Sequence, residues 1–155
     1  ITLRVTDPSG AYGEDTVVVN VIDTTAPALT SNGQVISFWP LNKQYRQIGV
    51  ADLVASASDS CDAGVNLSSV VIEKVTSDEG SASGNDIVIA AGCKSVQLRA
   101  DRDGSGDGRV YTITFRVRDT AGNTTTLKRQ VLVPHNQGGS AIDSGAAYTV
   151  ASICP

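Results

Sequence analysis

The stretch "RVYTITFRVRDTAGNTTTLKRQVLVP", Arg109 to Pro134, decides the fold class. Its two halves, Arg109–Asp119 and Thr124–Pro134, are dense in Val, Ile, Thr, Tyr and Phe, side chains that suit the pleated, half-buried surface of a sheet. Between them "DTAGN" supplies Gly122 and Asn123, residue types that accept positive φ, so the two runs predict an antiparallel hairpin. Working outward, strands are expected at Gln34–Phe38, Tyr45–Val50, Leu53–Ser58, Ser69–Val75, Asp86–Ala90 and Ser95–Ala100. Turn residues separate them roughly every 8–12 positions. No window long enough for a helix carries apolar residues at helical spacing. The pattern predicts an all-β, antiparallel, immunoglobulin-like β-sandwich with Greek-key connections.

Composition agrees and excludes several functions. Of 155 residues, 41% are hydrophobic, enough for a packed core, and 5% are aromatic. A net charge of −4 argues against a nucleic-acid partner, which requires a clustered excess of Lys and Arg. No apolar run approaches the roughly 18 residues of a membrane-spanning helix. With neither an initiating Met nor a signal peptide, the chain is expected to be an interior or processed piece of a longer protein. The three cysteines show no metal-type spacing. A Cys61–Cys93 disulfide is expected, worth about 3–4 kcal/mol through loop closure, with Cys154 left over. These features point to an extracellular or cell-surface setting.

The N-terminal segment "ITLRVTDPSGAYGEDTVVVNVI" reads as a hairpin, with Ile1, Leu3 and Val5 alternating on one arm and Val17, Val19 and Val21 on the other. Two strands alone are marginal in water, so this hairpin is expected to finish a preceding domain or to pair with another sheet. It echoes the opening stretch, since both follow the plan strand, Asp, Gly turn, strand, Pro, which suggests a tandem array. The expected division is a terminal hairpin or strand-donating segment over 1–22 and a linker over 23–30 that Pro27 keeps extended. A sandwich over 31–136 and a Gly/Ser-rich tail over 137–155 follow, the tail with one strand candidate at Ala147–Ala151.

These residues also carry a family resemblance. "TLRVTDPSGAYGEDTVVVNV" resembles the last two strands of a polycystic-kidney-disease-type (PKD) domain, and "DTTAPALT" the opening of bacterial immunoglobulin-like and hyalin-repeat modules. "SDSCDA", "CKSVQLRADRDGSGDGRVYTITFRVRDTAGNTT" and "VPHNQ" are similar to an extracellular module of that group in secreted and surface proteins of bacteria. The resemblance implies a non-catalytic spacer, adhesive unit or accessory module, and relatives that bind calcium near domain junctions.

Two acidic groups are candidate Ca2+ sites. In "DRDGSGDG", Asp101, Asp103, Ser105 and Asp107 put oxygens at alternate positions, as hard cations require. Thr112 stands where an EF-hand has its bidentate Glu, and no helices flank the loop, so a full EF-hand is excluded. A polar hairpin with water-facing carboxylates is the competing reading, with Arg102 and Arg109 relieving their repulsion. The second group is Asp59, Asp62, Asp119 and Asn123 at expected strand ends, with Asp23 of the linker. Junctional cation binding and turn capping compete there. Trp39 and Tyr45 are the candidate sugar-stacking pair, against packing in the core. His135, with Ser140 and Asp143, lacks a nucleophile elbow and a rigid scaffold, so no enzyme is expected. Asn66 and Asn123 open glycosylation sequons. The expected role is a structural or adhesive module, calcium-stiffened or part of a filament, whose partners are neighbouring domains or identical subunits. The alternative is a carbohydrate-binding accessory module with polysaccharide as its partner.

Overall fold

β-branched runs broken by Gly and Asp turns make nearly every regular segment a strand. In chain order the strands are β1 (Thr2–Thr6), β2 (Tyr12–Thr16), β3 (Ala28–Ser31), β4 (Ile36–Ser37), β5 (Tyr45–Gly49) and β6 (Val54–Ser58). β7 (Val71–Ser77), β8 (Ile87–Ile89), β9 (Ser95–Arg99), β10 (Gly108–Arg118), β11 (Thr124–Pro134) and β12 (Tyr148–Ala151) follow. A short helical turn, α1 (Val50–Leu53), and a 3-10 turn at Leu67–Ser69 interrupt them. The computed structural model describes residues 1–81 and 84–154.

The main sheet has the order β12-β7-β10-β11-β4, a second has β5-β9-β8, and β3 pairs with β6. All pairings are antiparallel except β11 with β4. The hairpin that decides the fold pairs along its whole length, from Gly108–Pro134 to Arg118–Thr124. Alternation along β10 sends Tyr111, Ile113, Phe115 and Val117 inward, where they are fully buried. On β7 the inward pair, Ile72 and Val75, is three residues apart. A register shift opposite Thr114 and Phe115 takes up the extra residue and keeps both on the core side. Ile48, Val96 and Leu98 of the second sheet join them in one apolar cluster with Leu53, Val54, Val131 and Val133. The result is an all-β, sandwich-like fold.

The N-terminal hairpin differs from expectation in its second arm. β2 is Tyr12–Thr16, and the valines expected there lie beyond it. A tight Asp7–Ala11 turn pairs Thr6 with Tyr12, so β1 is used up at Thr2–Thr16. Val17 still exchanges bonds with Ile1, and Val18–Ile22 pair with no strand among the described residues. The hairpin is a structural copy of β10–β11. Leu3–Asp15, Val5–Gly13 and Thr6–Tyr12 pair as Phe115–Leu127, Val117–Thr125 and Arg118–Thr124 do. Asp7 N donates to Ala11 O and Asp119 N to Asn123 O, while Gly10 (φ 90°) and Gly122 (φ 100°) both take left-handed backbone that a side chain would strain. The environments differ: Leu3 and Val5 are 66% and 65% exposed, whereas Phe115 and Val117 are 0% and 1%. The segment expected as a linker contains β3, which pairs with β6 from Ala28 onward.

The expected Cys61–Cys93 disulfide is not formed, because Cys61 sits exposed in the Asp59 turn while Cys93 is buried in the β8–β9 turn. Cys93 bonds instead to Cys154, with Cα atoms 6.3 Å apart. The segment expected as a tail makes this bridge reachable. β12 pairs Tyr148–Ala151 against Ser77–Lys74 of β7, and Tyr148 and Val150 pack on the core. That run delivers Cys154 to Ala91, whose carbonyl lies 3.5 Å from its sulfur. Closing a loop of 61 residues restricts the unfolded chain by about 4 kcal/mol. Thiol titration of the denatured, non-reduced protein should therefore find one reactive thiol, at Cys61, with Cys93 and Cys154 in one cross-linked peptide. Cys154→Ser should lower stability by about 2–4 kcal/mol; a Cys61–Cys93 peptide would contradict this arrangement.

Candidate functional site

At one pole of the sandwich the second acidic group assembles. Asp59 Oδ1 accepts the backbone N–H groups of Cys61 and Asp62 at 2.8 and 2.9 Å. Asp62 accepts from Gly64 and, across the pole, from Thr120, both at 2.9 Å. Those two backbone bonds hold the Asp62 carboxyl below its ordinary range. Asp119 accepts from Gly122 N, Asn123 N and Asn123 Nδ2 at 2.6, 2.7 and 2.8 Å. Burial alone would raise the Asp119 carboxyl, yet these bonds keep it low. Asn123 Nδ2 also reaches Asp23 O at 3.2 Å, so the incoming segment is tied to the β10–β11 turn.

Among the described residues, the one group of three acidic, His or Cys side chains with ligand atoms within 4.8 Å of one another is Asp23, Asp59 and Cys61. Asp59 Oδ2 within it is buried and accepts no hydrogen bond. Calcium takes six to eight oxygens, and this set offers two carboxylates and a soft sulfur, so its side chains alone supply fewer oxygens than that ion takes.

The loop leading into β10 is organised differently. Asp103 Oδ1 accepts from Ser105 N and Oγ, both at 2.9 Å, and Asp103 N donates to Glu79 Oε2 at 2.7 Å. Asp101 Oδ1 accepts from Arg102 N, and Arg102 Nη2 donates to His135 O. Ser105 and Asp107 are exposed. The carboxylates of Asp101, Asp103 and Asp107 belong to no such ligand group among the described residues.

Behind this loop lies a network that spacing did not reveal. Arg109 is 5% exposed, and its guanidinium donates to Asp86 Oδ2 (2.8 Å), Tyr111 Oη (2.9 Å), Glu79 Oε2 (3.0 Å) and Gly80 O (3.2 Å). Arg99 adds a second cation, 3.5 Å from Asp86. Burial penalises the Arg109 charge, but bonds and charge from Tyr111 and Asp86 more than compensate and hold it firmly protonated. Burial likewise opposes the Asp86 charge, and Arg109 keeps the carboxyl below its ordinary value. Burial pushes the Tyr111 phenol up to about 12. The network borders a polar cleft of about 210 Å3 that includes Asp101, Arg102 and Asp103. The sequence does hold the signal: Arg109 occupies the same side of β10 as Tyr111, Ile113, Phe115 and Val117.

The remaining candidates are dispersed. Trp39 and Tyr45 are 37% and 42% exposed. The Tyr45 hydroxyl donates to Asn85 O, and Trp39 O accepts from Arg46, whose guanidinium covers the Phe38 ring. His135 contacts Asn136 Oδ1 and Gly104 O, while Asp143 accepts from Gln130 and Gly145, so His135 and Asp143 make no pair. Asn66 Oδ1 caps the 3-10 turn through Ser68 N.

Removing the buried cation should strip Glu79 of its ion pair and weaken the compensation of Asp86, which Arg99 still faces at 3.5 Å. Arg109→Leu is expected to cost about 3–5 kcal/mol in denaturant unfolding. Because the folded Asp86 carboxyl is depressed, its contribution is present above the ordinary carboxylate range and is lost as pH falls through the folded value. Asp86→Asn should therefore flatten the acid limb of a stability–pH profile. An unchanged limb would show that Asp86 does not govern it.

No family model matches the chain, and neither a curated protein nor a solved structure matches it.

Proposed function

We propose that this chain is a non-catalytic structural module of the extracellular, immunoglobulin-like kind, working as a spacer within a tandem array. The observation that carries the reading is the N-terminal hairpin, which copies β10–β11 in register and turn while leaving its apolar side uncovered. In β10 the equivalent residues fill a core, and full burial of each such side chain is worth about 1.5–3 kcal/mol. Leu3 and Val5 would gain the same against strands of a preceding module. Val19 and Val21, matching Val131 and Val133, would continue its second arm.

The Asp23–Asn123 bond supports the spacer role, because it anchors the incoming segment to the pole. The pole's aspartates serve this role as turn caps, and no cation is invoked. No helix among the described residues is long and apolar enough to cross a membrane, and the disulfide suits an oxidising setting.

Hydrogen exchange tests the proposal. In the isolated 155-residue chain, amides of residues 1–22 should exchange rapidly, and deleting them should shift the stability of the remainder by no more than about 0.5 kcal/mol. In the longer parent protein the amides of Leu3, Val5, Val19 and Val21 should be strongly protected. Rapid exchange there would overturn the array.

A further inference from the structure

We propose that the outward face of the five-stranded sheet is a binding groove for an anionic polysaccharide. The groove holds about 690 Å3, within the range of ligand sites. Its floor is β7, β10 and β11, and the segments around Val35 and Ala146 wall it.

Strand register places its functional groups in two rows. Lys74 and Lys128 both stand opposite Thr114, one on each side, so their Cα atoms are about 10 Å apart. In the next row Thr76 and Gln130 flank Thr112 in the same way. A pair of cations thus lies beside a band of hydroxyl and amide groups. Both lysines are exposed and Thr114 is buried beneath them. Two lysines of the outward face, with Arg129 at the rim where its guanidinium donates to Gln34 O, line the groove against one carboxylate, Asp143, in a chain whose net charge is −4. That local reversal of sign attracts an anionic ligand and repels it elsewhere.

The choice of ligand follows from the floor. β7 and β10 are hydrogen-bonded on both sides, so no strand edge crosses the groove floor for a peptide to extend. Threonine hydroxyls and a glutamine amide instead match a hydroxyl-rich chain, and the lysines match its carboxylate or sulfate groups. Asp143 Oδ2 holds Gln130 Nε2 at 2.8 Å and is the one group in the groove that opposes an anion.

The test is titration of the folded chain, followed by backbone NMR, with three oligosaccharides: oligogalacturonate, a sulfated dextran oligomer and neutral dextran. Shifts should concentrate at Thr76, Thr112, Thr114 and Gln130 for one or both anionic probes and weaken as salt is added. The uronate and sulfate arms identify which anionic group is preferred. The variant Lys74→Ala with Lys128→Ala should bind about tenfold more weakly at unchanged thermal stability. Asp143→Asn should tighten binding, which keeps the test decisive if the double variant folds poorly. Binding of neither anionic probe, equal binding of neutral dextran, or anion binding indifferent to all three positions would each overturn the proposal.

Discussion

One buried cation sets the terms for the rest of this sandwich. Arg109 sits on the core side of β10, in the main sheet, and reaches Asp86 at the entrance to β8, in the other sheet. Tyr111 extends the link, accepting from Arg109 and donating to Arg99 O at the end of β9. Glu79 carries it to the loop before β10 through the Asp103 amide. A charge enclosed by protein is tolerated only when every donor has a partner, and that demand fixes where β8, β9 and the loop meet β10. Farther along β10 the same side of the strand is wholly apolar. Direction along this one strand therefore separates a polar pole from a hydrocarbon core.

Much of the fold was legible because period-two alternation and turn residues act locally. The β10–β11 hairpin, its Gly122 turn and the strands near β5 through β9 follow from those signals within a residue or two. What failed depended on contacts distant in sequence. Cys93 pairs with Cys154 because β12 crosses to β7, and a segment rich in Gly, Ser and Ala gives little warning of that crossing. The valines of 17–21 read as strand by alternation, but the turn at Asp7 had already set the register. Of the candidate site residues, those at the Asp119 pole do come together, since Asp-rich turns gather where strands end. The Arg109 network and the Lys74–Thr114–Lys128 row needed the pairing of β7, β10 and β11, which no single run of sequence encodes.

Charge is divided by location. At the two poles, Asp59, Asp62, Asp103 and Asp119 accept backbone N–H groups, which shapes the loops. On the outer face of the main sheet, cations stand among neutral hydroxyls with few local partners. The acidic composition therefore describes the loops, whereas the face that an extended ligand would meet has the opposite character.

The Cys93–Cys154 bridge bears on how such a module carries mechanical load. Tension arriving through the N-terminal segment acts on β3, which is held to β6 by backbone bonds and the Thr30–Ser56 hydroxyl bond, without a covalent link. Tension applied beyond Cys154 cannot peel β12 from β7, because the bridge passes the force directly to Cys93. The chain between the cysteines, which includes the β10–β11 hairpin and Arg109 itself, is bypassed, whereas the partners of Arg109 at Glu79, Gly80 and Asp86 lie before Cys93. About 210 Å of chain is thereby withheld from extension. Stretching would lengthen only the part before Cys93, so β9 through β12 would add nothing to the extension of the module.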